Sequence, residues 1–106
     1  MILEHALLSV KPDEQDAFET AFALATDIIA AVPGFRNLTL SRSLERESGY
    51  LLLVEWDRLE DHTEGFRGSD QYEKWRDLLH HFYDPVPVVD HYARVQTAGP
   101  ADRPTT

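Results

Sequence analysis

The stretch from Tyr50 to Trp56, YLLLVEW, restricts the fold more than any other part of the chain. Alternate side chains of a strand point to opposite faces of its sheet. Tyr50 and Trp56 lie on one face of this strand together with apolar residues, and Leu51 and Leu53 lie on the other. We therefore expect a strand inside a sheet, with both of its faces covered.

Hydrophobic periodicity predicts three further strands and two helices around this one. A period close to 3.6 residues indicates each helix, and short apolar or alternating runs indicate the strands. The predicted elements are a strand at 2–10, a helix from Pro12 to Val32 that ends at Pro33-Gly34, a strand at 35–44, a broken helix that begins at Asp57, and an edge strand at 86–95.

The second helix carries signals for two starts. Asp57 is a candidate N-cap, with Glu60 three residues later in a capping-box arrangement. Gly65 and Gly68 interrupt the pattern, and Ser69 can cap a second helical segment. We therefore predict a helix in two halves.

The element order is β-α-β-β-α-β, which predicts an α+β, ferredoxin-like fold in which two helices cover one face of a four-stranded antiparallel sheet. Two helices cannot cover the second face, so we expect a homodimer packed sheet to sheet. Residues 1–95 form the predicted domain. Residues 96–106 have few apolar anchors and are expected to be a flexible tail.

Composition excludes several classes of function. The net charge is −9, with 19 acidic residues against 10 Lys and Arg, which disfavours nucleic acid. The absence of cysteine excludes disulfides, thiolate catalysis and cysteine-based metal sites. The longest apolar run is Tyr50–Val54, so neither a signal peptide nor a membrane span is predicted, and we expect a cytoplasmic protein.

The segment EWDRLEDHTEGFRGS, together with His91-Tyr92, resembles the antibiotic biosynthesis monooxygenase family of the dimeric α+β barrel superfamily. The resemblance covers roughly residues 2–95 and implies a dimer with a pocket between sheet and helices in each subunit. The best-known branch of that family oxidises aromatic phenols to quinones with dioxygen and uses no metal or flavin. The resemblance therefore implies a small aromatic ligand and no cofactor.

Such a site needs aromatic walls and a few polar groups. We predict His62 and Tyr72 as catalytic residues. The predicted substrate-binding residues are Trp56, Phe66, Arg67, Trp75, His5 and His91.

Each of these residues also has a structural interpretation. His62 lies at helical spacing from Leu59 and Phe66, so it can be a packed histidine as well as a proton-handling one. Trp56 can belong to the core or to the dimer interface. Arg67 can pair with an acidic neighbour instead of a phenolate or carboxylate.

The remaining histidines support no metal site. His5 and His91 share odd parity on adjoining strands, which suggests a common face with Glu4 and Asp90 on the opposite one. No compact cluster of three metal ligands follows from that arrangement. The pair at positions 80–81 is typical of a solvated helix end.

Two other functions stay open. One is a non-catalytic, ligand-binding or stress-related member of the same superfamily, since a fold does not determine a function. The other is haem degradation, the activity of a second branch of the family that this chain resembles. That branch uses an Asn, a Trp and a haem-ligating His. The corresponding positions hold Ala6, Phe66 and Arg76, and none matches.

Overall fold

The structure, a computed structural model, describes residues 1–101 of the chain. Four strands, two α-helices and two short helical segments follow one another. They are β1 (Ile2–Ser9), α1 (Gln15–Ala30), β2 (Phe35–Arg42), β3 (Gly49–Trp56), a π-helical segment (Asp61–Phe66), α2 (Asp70–Leu79), a 3₁₀ turn (His80–Phe82) and β4 (Val89–Ala93).

The four strands form one antiparallel sheet in the order β2-β3-β1-β4. This order and the element sequence confirm the predicted ferredoxin-like fold. Strand β3 lies inside the sheet between β2 and β1, as its two apolar faces predicted.

The core lies between the helices and one face of the sheet. Phe18 and Ile29 of α1 and Leu79 of α2 are almost fully buried against the same-face residues of β3. The opposite face is open: Leu7, on the inner strand β1, is 51% exposed. One face of the sheet therefore lacks a cover within the described chain, residues 1–101.

Helix α1 begins later than predicted. Pro12 was expected in the first helical turn, but Asp13 has a φ of +67°, a left-handed conformation that a helix cannot contain. Pro12 and Asp13 form a turn, and the helix starts at Gln15. Gly34, with a φ of +87°, follows the end of this helix, as predicted.

The prediction that Asp57 caps the second helix is wrong. Its carboxylate accepts a hydrogen bond from Arg36 at 2.8 Å instead, and the backbone N–H of Arg58 donates to the carboxylate of Asp61. Ser69 does cap α2, because its hydroxyl accepts from the backbone N–H of Tyr72 at 3.2 Å.

The break in the second helix is a π-helical turn. The N–H of Arg67 donates to the carbonyl of His62 at 3.1 Å, five residues back. A Cβ at Gly68 would lie 2.7 Å from the carbonyl oxygen of Glu64, so the turn can close there only with glycine. The wider turn changes the helical spacing: His62 and Phe66 are buried, whereas Leu59 is exposed.

Strand β4 is shorter than the predicted 86–95 and covers Val89–Ala93. The predicted tail, 96–106, lies partly outside the described residues, and positions 96–101 contain no helix or strand. In the described part of the chain, no helix has the length and apolar character needed to cross a membrane.

Candidate functional site

His62 lies in the π-helical segment and is only 3% exposed. Its ring stacks on the indole of Trp56, with ring centres 5.4 Å apart and planes inclined by 22°. The segment thus turns His62 toward the sheet and the end of β3, where it is packed and also lines a cavity.

Glu4 of β1 reaches the same place from the sheet. The indole N–H of Trp56 donates to Oε1 of Glu4 at 2.9 Å. Nε2 of His62 lies 3.4 Å from that oxygen. With 6% of its surface exposed, Glu4 is a carboxyl group inside the apolar face of the sheet.

His91 of β4 completes a row of three polar side chains. Its Nε2 lies 2.7 Å from Nδ1 of His62. Because one nitrogen of this pair must donate and the other accept, the tautomers of the two rings depend on each other.

The predicted faces of these strand residues were wrong. The register pairs Glu4 with His91 and His5 with Asp90, and partners in an antiparallel pair point to the same face. Glu4 and His91 therefore share the helix-covered face. His5 lies on the uncovered face, where its ring meets Tyr92 edge to face at 5.6 Å.

A cavity of about 240 Å³ opens beside this row, between the sheet and α2. Its wall is mainly apolar and aromatic, with a few ionisable groups. The lining residues are Glu4, Ala6, Leu8, Leu52, His62, Phe66, Arg67, Tyr72, Trp75, His80, Tyr83, Val86, Pro87 and Val89.

Five of the eight predicted site residues line this cavity: His62, Phe66, Arg67, Tyr72 and Trp75. The other three do not. Trp56 lies outside the cavity and donates a hydrogen bond to Glu4. His91 also lies outside it and contacts His62. His5 is on the other face of the sheet.

The aromatic wall is built around Phe66. Its ring meets Tyr72 edge to face at 5.3 Å and Trp75 at 5.7 Å. Trp75 in turn packs edge to face on Phe22 of α1. These contacts give the cavity a preformed aromatic side on a rigid part of the fold.

His80, which was expected at a solvated helix end, belongs to the cavity wall. The helix tightens to a 3₁₀ turn at this residue, and its ring contacts those of Tyr72 and Tyr83. Burial, with a smaller contribution from the charge of Arg76, lowers the pKa of His80. Burial raises the pKa of Tyr83, so its phenol stays neutral.

Burial also shifts the ionisation of the polar row. It raises the pKa of Glu4, against the opposing effects of the Trp56 hydrogen bond and the Arg67 charge. Burial and the charges of Arg67 and His91 lower the pKa of His62 to about 3. Burial and Arg67 lower the pKa of His91, and Asp90 opposes them. His62 is therefore neutral near pH 7.

Arg67 differs from most other arginines of the chain. Arg36, Arg42, Arg58 and Arg94 each lie within ion-pair distance of a carboxylate of another element or turn. Within residues 1–101, Arg67 has no such partner, although it lines the cavity. Its guanidinium is available to an anionic group there.

A second depression, of about 340 Å³, lies where β1 begins and β4 ends, near residues 94–96. Its two charged side chains, Glu55 and Arg94, lie within 3.7 Å of each other. No group of three or more His, Asp or Glu side chains in the described part of the chain is arranged as a metal site.

A sequence model of the family described as antibiotic biosynthesis monooxygenase matches residues 1–78 of the chain. The uncharacterized protein YczJ of Bacillus subtilis is 48% identical over 95 residues, which cover 90% of this chain and all of YczJ.

Solved structures show the same fold. A crystal structure from Bordetella bronchiseptica, assigned to the antibiotic biosynthesis monooxygenases, is 30% identical, with a TM-score of 0.86 over 90% of this chain and 97% of that one. The structure of SnoaB, a cofactor-independent oxygenase from Streptomyces nogalater, has a TM-score of 0.79 at 18% identity, over 91% of this chain and 94% of SnoaB.

Proposed function

The chain belongs to the antibiotic biosynthesis monooxygenase family, and from this premise we propose that it oxidises a small phenol or hydroquinone with dioxygen, without metal or flavin. The observation that carries the proposal is the cavity, where buried proton-handling groups and Arg67, which has no ion-pair partner in the described chain, meet an aromatic wall. SnoaB shows that the fold is compatible with such chemistry.

The size of the cavity favours a compact ligand. An engineered protein cavity of about 150 Å³ is large enough for benzene. A cavity of about 240 Å³ therefore suits a ligand of one or two rings. Phe66, Tyr72 and Trp75 would hold its faces and edges, and Arg67 would bind its ionised oxygen.

The reaction needs the phenol in its ionised form. Loss of the phenolic proton makes the ring electron-rich enough to reduce dioxygen, and a C–O bond then forms at the position opposite the phenolate. The resulting hydroperoxide loses water to leave a quinone, so one phenol with hydrogen at that position and one dioxygen give one quinone and one water. A hydroquinone, whose opposite position already carries oxygen, instead gives two electrons and two protons to dioxygen and leaves a quinone and hydrogen peroxide. The protein contributes by excluding water, orienting the ring and moving protons through His62 and Tyr72.

The remaining parts of the proposal concern assembly and location. We assign the uncovered sheet face, including His5, to a homodimer interface rather than to the ligand. The cytoplasm is the proposed location, because a chain without cysteine does not depend on an oxidising compartment for disulfides.

A non-catalytic carrier is the second candidate. It is favoured by the stacking of His62 on Trp56, because a packed ring of low basicity also suits a purely structural role. Haem degradation is not favoured, because a four-pyrrole macrocycle is larger than the ligand that a cavity of about 240 Å³ suits.

Oxygen uptake with a panel of phenols and hydroquinones separates these functions. We expect oxygen uptake by the native chain. In His62→Ala its rate should fall at least about tenfold, because positioned proton transfer contributes about 10²–10⁴-fold. In Tyr72→Phe the rate should fall less. His81→Ala is the matched control, since that exposed histidine lies outside the cavity. Ligand binding without oxygen uptake would identify a carrier.

A further inference from the structure

We propose that Glu4, His62 and His91 form a proton relay that connects the cavity with solvent at the edge of the sheet. The row runs from Oε1 of Glu4 to Nε2 of His62 over 3.4 Å, and from Nδ1 of His62 to Nε2 of His91 over 2.7 Å. The catalytic use of this relay rests on the proposed function, whereas its existence can be tested without a substrate.

Both ends of the row are open. Among the described residues, Nδ1 of His5 is the only buried side-chain nitrogen or oxygen without a hydrogen-bond partner. Oε2 of Glu4 and Nδ1 of His91 also make no hydrogen bond within the described chain. Because neither is among the buried atoms without a partner, each must be accessible to solvent. Glu4 lines the cavity, and His91 lies half-buried on edge strand β4. The inner end thus meets a ligand and the outer end meets water.

Hydrogen bonding allows two arrangements of protons. In the first, Glu4 is a carboxylic acid that donates to Nε2 of His62, and Nδ1–H of His62 donates to His91. In the second, Glu4 is a carboxylate that accepts from Nε2–H of His62, and Nε2–H of His91 donates to Nδ1 of His62. Once Nε2 of His62 and Oε1 of Glu4 approach within hydrogen-bonding distance, both arrangements satisfy both nitrogens of the buried ring.

The change from the first arrangement to the second moves one proton outward. The O–H bond of Glu4 breaks as Nε2–H of His62 forms, and Nδ1–H of His62 breaks as Nε2–H of His91 forms. His91 then loses its Nδ1 proton to water and returns to a neutral ring. His62 exchanges one proton for another, so it need never hold two.

The environment suits this sequence of steps. The low pKa of His62, about 3, disfavours its imidazolium but not a change of tautomer. Asp90 favours a transient positive charge on His91. The 3.4 Å contact between Glu4 and His62 must shorten during transfer, as is common for catalytic hydrogen bonds in ligand-free sites.

Several other charged or titratable groups face the relay or share its cavity, and they belong to every element around it. Arg67 follows the π-helical segment and favours the carboxylate of Glu4. The others are Tyr72 on α2, His80 in the 3₁₀ turn and Tyr83 directly after it. Asp90 of β4 points to the uncovered face, with His5, and acts on His91 through its charge.

Nitrogen-15 NMR of histidine-labelled protein tests the relay directly, because it distinguishes the Nδ1–H and Nε2–H tautomers. We expect His62 to change from Nδ1–H at low pH to Nε2–H at higher pH without an imidazolium signal. In Glu4→Gln, the amide oxygen that accepts from Trp56 can only accept from His62, so we expect His62 to keep the Nε2–H tautomer throughout.

A second variant protects the test if Glu4→Gln does not fold. Trp56→Phe removes the N–H that stabilises the Glu4 carboxylate, so the tautomer change should move to higher pH. A single His62 tautomer throughout the pH series in the native protein, or an unchanged transition in these variants, would overturn the relay. Oxygen uptake is measured separately, so an intact tautomer change without uptake would reject the proposed function alone.

Discussion

Nδ1 of His62 and Nε2 of His91 lie 2.7 Å apart, although the two residues are 29 positions apart in the sequence and belong to different elements. Two imidazolium ions cannot make this contact, because both of their facing nitrogens would be donors. The contact therefore requires at least one neutral ring, and it connects the π-helical segment to the edge of the sheet.

The burial of His62 should make the protein less stable in acid. Its pKa is about 3 in the folded chain, against an ordinary value of 6.5. Between these values the unfolded chain binds a proton that the folded chain does not, so the free energy of unfolding falls as the pH falls, by at most about 1.4 kcal/mol per pH unit. Urea unfolding at pH 4–7 measures this slope.

The variant His62→Gln should have a shallower slope over that pH range. His81→Gln is the control for a histidine that is exposed and distant from the cavity, and its slope should match that of the native chain. Equal slopes for His62→Gln and the native protein would show that another group causes the acid sensitivity.

Glu4 should act with the opposite sign. Burial raises its pKa above the ordinary value of 4.5 in the folded chain. As the pH rises above 4.5, the unfolded chain therefore gives up its proton first, and the folded state loses relative stability. Glu4→Gln removes this loss. We therefore expect the unfolding free energy of Glu4→Gln to rise relative to that of the native protein as the pH rises above 4.5. A difference that does not change with pH would contradict the raised pKa of Glu4.

The indole N–H of Trp56 should stabilise the folded chain in addition to the packing of the ring. Trp56→Phe leaves Glu4 without its 2.9 Å donor and creates a small cavity, so we expect a loss of about 2–4 kcal/mol in unfolding free energy. Trp75→Phe changes the volume equally, but Trp75 makes no side-chain hydrogen bond in the described chain, so its loss should be smaller. Thermal unfolding of both variants gives the comparison.

The sequence was sufficient to predict the order of strands and helices, because hydrophobic periodicity distinguishes the two. The two apolar faces of Tyr50–Trp56 and the stripe of the first helix determine which residues are buried. The orientation of His62 toward the sheet was also predictable, since Phe66 four residues later is apolar. Its interaction with Glu4 and His91 was not.

That interaction depends on strand register. Odd or even numbering along one strand does not show which residues of the neighbouring strand share its face until the register is known. The pairing of Glu4 with His91 depends on loops, and no local sequence pattern determines the geometry of these loops. One signal was present: Glu4 has the same parity as Ala6 and Leu8, which are core residues. A carboxyl group on that face was a candidate for a buried site.

Arg67 should determine the preference for anionic ligands. Arg67→Gln removes the unpaired guanidinium of the cavity, so we expect KM for an ionised phenol to rise about tenfold or more, which corresponds to about 1.4 kcal/mol or more for a charge-assisted hydrogen bond. Arg46→Gln is the control, because Arg46 is exposed and does not line the cavity. Steady-state oxygen uptake measures KM, and an equal effect of both variants would argue against a direct contact with the ligand.

The uncovered sheet face should hold two subunits together. Leu7 of the inner strand β1 is 51% exposed on that face, and a charge there would be buried without a partner in a sheet-to-sheet dimer. We therefore expect Leu7→Arg to be monomeric at micromolar concentration in sedimentation experiments, while the native chain sediments as a dimer. Leu24→Arg is the matched control, because Leu24 is 59% exposed on α1, away from the sheet, and should remain dimeric. A monomeric native chain would remove the proposed dimer and leave the exposed Leu7 and Tyr92 of the sheet without an explanation.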